Sequence, residues 1–569
     1  MRNPRLSKRF LGGPGVRAHG ACAVLPAILL AMLVISVGHS ARARSDATSP
    51  AAAGLDPNFG SGGKVVTDFF GAGNQARAVA IQTDGRIVVA GRAHTVPGHD
   101  DFGVVRYNAD GTQDGGFGAT GKITTDFFGA GDSANAVAVQ RDGRLVVAGA
   151  AGTSFVSMFG LVRYNPDGGL DTSFGINGKV TTNLGGFLSA NAIAIEANGK
   201  IIVAGGSATS ASTSDFTIVR YNPDGTLDKG FGTSGTVTTD FFGDTDVATS
   251  IALQQDGRIV VAGLASSPSG TPGSQFALAR YNSNGSLDPG FGTGGKVTIS
   301  FAGKGDQVNA LAIQSDGRIV AAGFATTPDG SSTDLALVRF NPTGGIDTSF
   351  GAGGKVVTDF FGGADQGNAI GIQIDGKIIV AGSAANGATL EFALARYNTD
   401  GGLDASFGTG GVTTTTFVNS DSAAALAIQA DNKIVAAGTA SDAALGTSGQ
   451  DFALARYDAG EVVPPPPPQP DFALSIDPPV VNAARGTVIG ITVTVVKLAG
   501  FAGNVTVSPP GTPAGIVLKP GGAVTTADPA VTFNVKIKGK APVGEQDMTF
   551  SGTDSSGRMR TATVKLLVQ

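Results

Sequence analysis

A chain of 569 residues with one cysteine, no tryptophan and four histidines has few of the side chains on which most enzyme chemistry rests. The cysteine, Cys22, precedes the one long apolar run, AVLPAILLAMLVISVG at 23–38. Five basic residues stand before that run, and the small-x-small sequence ARA at 41–43 follows it. This is the layout of a secretory signal peptide over residues 1–44. At 16 residues the run falls short of the ~20 that cross a bilayer in comfort, so no stable membrane span is expected after cleavage. A lipid-anchored cysteine would follow the run. Beyond residue 44 there is no cysteine, which excludes disulfides as the support of the fold.

Positive charge is scarce as well. Residues 1–44 hold seven of the 40 basic residues and none of the 45 acidic ones, so the remainder carries a formal charge of −12. Nucleic-acid binding needs a basic footprint that an acidic secreted chain lacks. Only His94 and His99 remain, both in HTVPGHDD at 94–101, so a Ser-His-Asp triad has no other histidine to draw on. Glutamate between 45 and 460 is limited to Glu196 and Glu391, thin for a glycosidase that uses one of two carboxylates as its acid. Aspartate is plentiful, which weakens the enzyme class without removing it.

What is abundant is glycine, 87 residues, and it is arranged in a repeat. DGRIVVAG at 84–91 returns as DGRLVVAG at 142–149, NGKIIVAG at 198–205, DGRIVVAG at 256–263, DGRIVAAG at 316–323, DGKIIVAG at 375–382 and DNKIVAAG at 431–438. A second landmark, LDPNFG at 55–60, recurs with starts near 113, 170, 227, 287, 346 and 403. A period of 57–60 residues indicates a solenoid, a propeller or a similar array. Within the second copy four strands are expected, at 122–128, 134–140, 144–150 and 158–165, with Asp142-Gly143 as a tight hairpin turn. Ile87 and Val89 face one way and Val88 and Ala90 the other, so both sheet faces require cover. Ala78, Ala80, Ala136 and Ala138 would let sheets approach closely near an axis. The first and last copies read like the middle ones, whereas an open stack would carry polar caps. The expected fold is all-β, a seven-bladed β-propeller over 45–460.

The ordered landmarks LDxxFGxxGKVxTDFFG, AIQxDGRIVVAG and FALARYNxDG resemble the delta-60 repeat family, bacterial repeats assigned to a β-propeller, over residues 55–458. The resemblance supplies no catalytic residues. After it, EVVPPPPPQP at 461–470 reads as a stiff polyproline II linker. Residues 471–569 show seven strand candidates, at 471–477, 488–496, 503–509, 514–520, 531–539, 544–552 and 560–568. That count fits a small β-sandwich and resembles bacterial immunoglobulin-like domains, without a Cys-Trp-Cys core.

Three groups of residues invite a function. The pair Arg106-Tyr107 and its six equivalents recur in every unit, which fits an arginine bracing one blade to the next. Asn222, Asp224 and Asp228 in NPDGTLD place oxygens where Ca²⁺ could bind, although Asn and Asp beside Gly also build turns without metal. His94 and His99 with Asp100 and Asp101 could meet a transition metal. No catalytic residue, no cofactor-binding residue and no organic cofactor are assigned. The variable connections at 92–101, 206–215, 264–275 and 439–451 are where specificity would sit. The leading expectation is a secreted or cell-surface monomer that binds a protein or a glycan, or serves as a structural scaffold. The alternative is an extracellular enzyme acting on a glycan or similar polymer at the propeller mouth.

Overall fold

A computed structural model describes residues 54–569, apart from 461–470 and short segments at 71–72, 97–98, 154–155, 186–187, 209–212, 268–272, 302–304, 443–448, 499–502 and 556. The expected signal segment and the proline linker lie outside the described residues. The chain divides into two compact units, residues 1–462 and 463–569. No helix among the described residues is long and apolar enough to cross a membrane.

The first unit contains seven four-stranded antiparallel sheets in a ring. Blade 1 is formed by β2 (Gln75–Ile81), β3 (Ile87–Val96), β4 (His99–Tyr107) and β5 (Lys122–Thr125), in that order from the axis outwards. The first strands of successive blades touch one another around the axis. Apolar burial on both faces of β3 holds the ring together. Ile87 and Val89 belong to a core shared with blade 7, Val88 and Ala90 to one shared with blade 2, and all four are fully buried. Ile87, Val88 and Val89 each contribute roughly 1.5–3 kcal/mol by leaving water. The alanines of β2 are buried as expected.

The structural blade is out of phase with the sequence repeat by one strand. The strand that opens each repeat, such as Lys122–Thr125, pairs with β4 of the preceding blade rather than with the strands after it. The chain reverses through 108–121 to allow this antiparallel pairing, and then crosses to the next blade through Asp126-Phe127-Phe128-Gly129. As a result β1 (Lys64–Thr67), near the start of the propeller, becomes the outermost strand of blade 7, paired with Gly449–Tyr457. The ring closes by joining its two chain ends in one sheet.

The glycine that ends each VVAG phrase has a steric reason. A Cβ on Gly91 would lie 1.9 Å from the carbonyl oxygen of Gln75. The register of β2 against β3 slips between Ala76 and Ala78, leaving Arg77 as a bulge residue opposite that glycine. The same slip occurs in all seven blades. Bulges re-aim a side chain, here the one nearest the axis.

The second unit is a β-sandwich of a four-stranded and a five-stranded sheet. The seven expected strands are present, with two more at Val480–Ala483 and Val524–Thr526. Burial alternates strictly along Ala530–Ile537, the pattern of a sheet with one wet face. Phe533 and Phe550 meet across its core with ring centroids 5.0 Å apart.

Candidate functional site

The two ends of the propeller differ in kind. At the end holding the hairpin turns, the three sequence landmarks converge on one clasp per blade. In blade 1, Asp114 Oδ2 accepts from Arg106 Nε at 2.7 Å and pairs with Arg86 Nε at 3.1 Å. The Arg106 guanidinium lies 4.6 Å from the centroid of Phe117, and its Nη1 donates to the Pro166 carbonyl of the next blade. The basic residue of every DGR-type turn meets the aspartate of the LDxxFG phrase in this way, including Lys433 with Asp56 at 2.6 Å. Arg456 closes the circle by donating to Ala109 of blade 1. A clasp made seven times is architecture, and a function has to lie where the blades differ.

The opposite end carries the crossovers and the variable connections. An aspartate at the entry to most first strands holds each crossover: Asp132 accepts from Phe127 N and Gly152 N, both at 2.7 Å. At alternate junctions it gathers two more carboxylates. Asp101, Asp126 and Asp132 form one group, Asp215, Asp240 and Asp246 a second, and Asp334, Asp359 and Asp365 a third. Within each, one oxygen per residue lies within 4.8 Å of the others. Burial pushes Asp132 and Asp365 up to about 6 and Asp246 up to about 7, and the neighbouring carboxylates push the same way. Asp101, Asp215 and Asp334 are raised too, chiefly by burial. Oxygen-rich, mutually repelling groups of this kind could coordinate a hard divalent cation such as Ca²⁺. Where blade 7 meets blade 1, Asn74 stands in the third position, and its Nδ2 donates to Asp68 at 3.0 Å and Asp451 at 3.4 Å. An amide there does what a proton or a cation would do at the all-carboxylate junctions.

The axis is lined by the bulge residues. Asn135 Nδ2 donates to the Ala190 carbonyl of the next blade at 3.1 Å, Asn191 to Ala248 at 2.9 Å, Asn309 to Gly367 at 3.0 Å and Asn368 to Ala423 at 2.8 Å. Thr249 does the same toward Val308. Two members break the pattern, Ala424 and Arg77, which follow each other around the ring. Burial, and next the charge of Arg92, lowers the Arg77 guanidinium to about 10.

Blade 1 also carries charge on the crossover side of β3 and β4. Arg92 Nη1 donates to Asp100 Oδ2 at 3.0 Å, and His94 Nδ1 lies 2.8 Å from Asp100 Oδ1. The hairpin register places His94 opposite Asp100. All three keep between a fifth and a third of their side chains exposed. The residues equivalent to His94 are Gly152, Ala208, Ser266, Thr326, Ala385 and Ser441, and no other blade has a charge at the positions of Arg92 or Asp100.

Of the residues singled out in the sequence, His94 joins this group, and His99 sits exposed at the tip of the same hairpin. Asn222 Nδ2 donates to Thr226, Asp224 accepts from Thr226, and Asp228 is held by Arg220 at 2.7 Å and Lys200 at 2.8 Å. The geometry thus engages all three in a turn and a clasp. The carboxylate groups went unnoticed in sequence because each unites a third strand, a crossover and the entry to the next blade. The signal was present in the recurring Asp of TDFFG and the Asp a few residues on.

Seven segments of the chain, 82–117, 140–174, 196–231, 254–291, 314–350, 373–407 and 429–460, match a family described as "Domain of unknown function (DUF5122) beta-propeller". No curated protein matches. Among solved structures, the polysaccharide lyase Uly1 is similar at 10% identity over 67% of this chain and 89% of that chain, with a TM-score of 0.40. The S-layer protein rSbsC(31-844) is similar at 12% identity over 72% of this chain and 52% of that chain, with a TM-score of 0.13. The seven clasped blades and the matched segments coincide, and the chain therefore carries a β-propeller domain of the DUF5122 family, followed by a distinct β-sheet domain.

Proposed function

We propose that the chain is a secreted or cell-surface protein whose propeller acts on a glycan or similar polymer at its crossover end, with the repeats read as delta-60 repeats and the tail as an immunoglobulin-like module. The observation that carries this reading is the one-sided group in blade 1. A scaffold held by seven like clasps has no need of Arg92, His94 and Asp100 in a single blade. Asp100 orients the His94 ring through Nδ1, which leaves Nε2 as the ring nitrogen to exchange a proton with a substrate. Arg92 and Arg77 supply positive potential beside it, where negative charge on a reacting polymer would be stabilised. Ca²⁺ held by the three aspartate groups would lock the blade junctions that frame this face, without taking part in the chemistry.

The substrate class to try first is polysaccharide. The full chain is incubated with neutral and acidic polysaccharides, and new chain ends are measured by reducing-end and ultraviolet assays. Cleavage that His94→Ala abolishes, with the melting temperature unchanged, is the expected result. Binding without cleavage would return the protein to the non-catalytic scaffold reading. Cleavage untouched by His94→Ala and Asp100→Asn would remove blade 1 from the reaction.

A further inference from the structure

The axial ring contains one residue whose structural task does not explain its chemistry. Six of the seven bulge positions hold Asn, Thr or Ala, and five of those six donate to a backbone carbonyl of the next blade. Asparagine suffices for that task in four blades. Blade 1 has Arg77 instead. Its Nη1 donates to Ser133 Oγ and Asn135 Oδ1, both at 2.7 Å, and its Nη2 donates to Gln75 Oε1 at 3.0 Å. All three acceptors are neutral oxygens, and no carboxylate lies within ion-pair distance among the described residues. A guanidinium has five N–H donors, so Nε–H and one Nη2–H remain.

A half-buried cation without a counter-charge is costly unless something else supplies the charge. Its surroundings do not. Arg92 adds a second positive charge, Asp100 returns one negative charge, and the group of Arg77, Arg92 and Asp100 stays net positive by one. Next in the ring on the side of blade 7 is Ala424, the smallest side chain at this position. Arg77 and Ala424 are the two ring members that stay partly exposed, the other five being buried, so exposure and positive charge fall at the same place.

We propose that Arg77 binds the carboxylate of an acidic sugar at the propeller axis, with Arg92 as the second cation of the subsite. Two free N–H groups on one planar fork match the two oxygens of a carboxylate, and one net positive charge matches a monoanion. Gln75, Ser133 and Asn135 fix the fork from behind, so it is set before the ligand arrives. This deepens the polymer reading above and rests on it for the identity of the carrier, but the anion subsite can be tested by itself.

Glucuronate and galacturonate, as free sugars and as oligomers, are titrated into the full chain by calorimetry, with glucose, galactose and their neutral oligomers as controls. Inorganic sulfate serves as a second anion. Binding of the acidic sugars, weakened about tenfold or more by Arg77→Asn, is expected. Arg77→Asn copies the residue of four other blades, so its melting temperature should stay at that of the parent, and Arg77→Lys should retain part of the affinity. Equal binding of acidic and neutral sugars, binding unaffected by Arg77→Asn, or no binding of either uronate would overturn the proposal. Sulfate bound as well as uronate through Arg77 would overturn the carboxylate assignment. The two readings separate cleanly. Arg77-dependent uronate binding without action on any polymer would leave the subsite standing and the polymer function fallen, and polymer cleavage indifferent to Arg77 would do the reverse.

Discussion

The hydroxyl of Tyr281 donates to Thr239 Oγ1 at 2.8 Å, joining the third strand of one blade to the outermost strand of the blade before it. All six tyrosines of the chain are bonded in this way, to Thr67, Thr125, Thr182, Thr239, Thr358 and Thr415. The seventh junction has Phe340 and Ile299 at these positions, both in one apolar cluster. Hydroxyl partners occur together or not at all, as expected where an unpaired buried polar group is expensive.

That pairing can be tested by a double-mutant cycle. Thr239→Ile alone leaves the Tyr281 hydroxyl buried without its partner and should cost about 1–3 kcal/mol. Adding Tyr281→Phe reproduces the Ile299 and Phe340 pair and should recover most of that loss. Thermal or urea unfolding of the four proteins decides it, and strictly additive losses would show that the pair is not coupled.

Ring closure depends on Asp56, which is almost fully buried and paired with Lys433 at 2.6 Å and Arg456 at 2.8 Å. Removing one partner of a buried ion pair strands the other charges, at a cost of about 3–5 kcal/mol. Asp56→Ala should lower the unfolding transition of the propeller by that much and leave the transition of the C-terminal sandwich unmoved. Equal loss in both transitions would mean that the two units do not fold independently.

The aspartate groups give a pH dependence of known sign. Asp246 has a folded value of about 7 and Asp132 and Asp365 about 6, against 3.8 for an unperturbed aspartate. Between pH 4 and 7 the native state therefore holds protons that the unfolded chain has released, and stability falls as pH rises through this window. Carboxylates with lowered values, such as Asp404 beside Lys377, act below pH 4 and do not interfere. In EDTA the propeller should melt higher at pH 5 than at pH 7.5. Ca²⁺ at pH 7.5 should raise the melting temperature and flatten the dependence, because a ligand bound only by the native state stabilises it by mass action. Identical melting with EDTA and with Ca²⁺ would exclude these groups as cation sites.

Much of this architecture was legible in the residues. Ile87 to Ala90 announced a sheet covered on both faces, and Arg106 announced a brace between blades, made in fact with Asp114, Phe117 and the Pro166 carbonyl. The phase of the blades was not legible, since Lys122–Thr125 alternates alike whichever sheet it joins. Val480–Ala483 and Val524–Thr526 were too short to show a period. Arg77 could not be placed because its direction depends on a bulge set by Gly91 in the neighbouring strand. His94 was noticed with His99, Asp100 and Asp101 as a loop group, and the hairpin register sets it opposite Asp100.

The most direct measurement is hydrogen–deuterium exchange of the full chain with and without a bound acidic polysaccharide. Protection is expected at the crossover end, in 92–101 and 126–132 and around Arg77, with the turn end at 222–228 unchanged. Protection confined to the turn end, or to the C-terminal sandwich, would contradict a working face at the crossover end of the propeller.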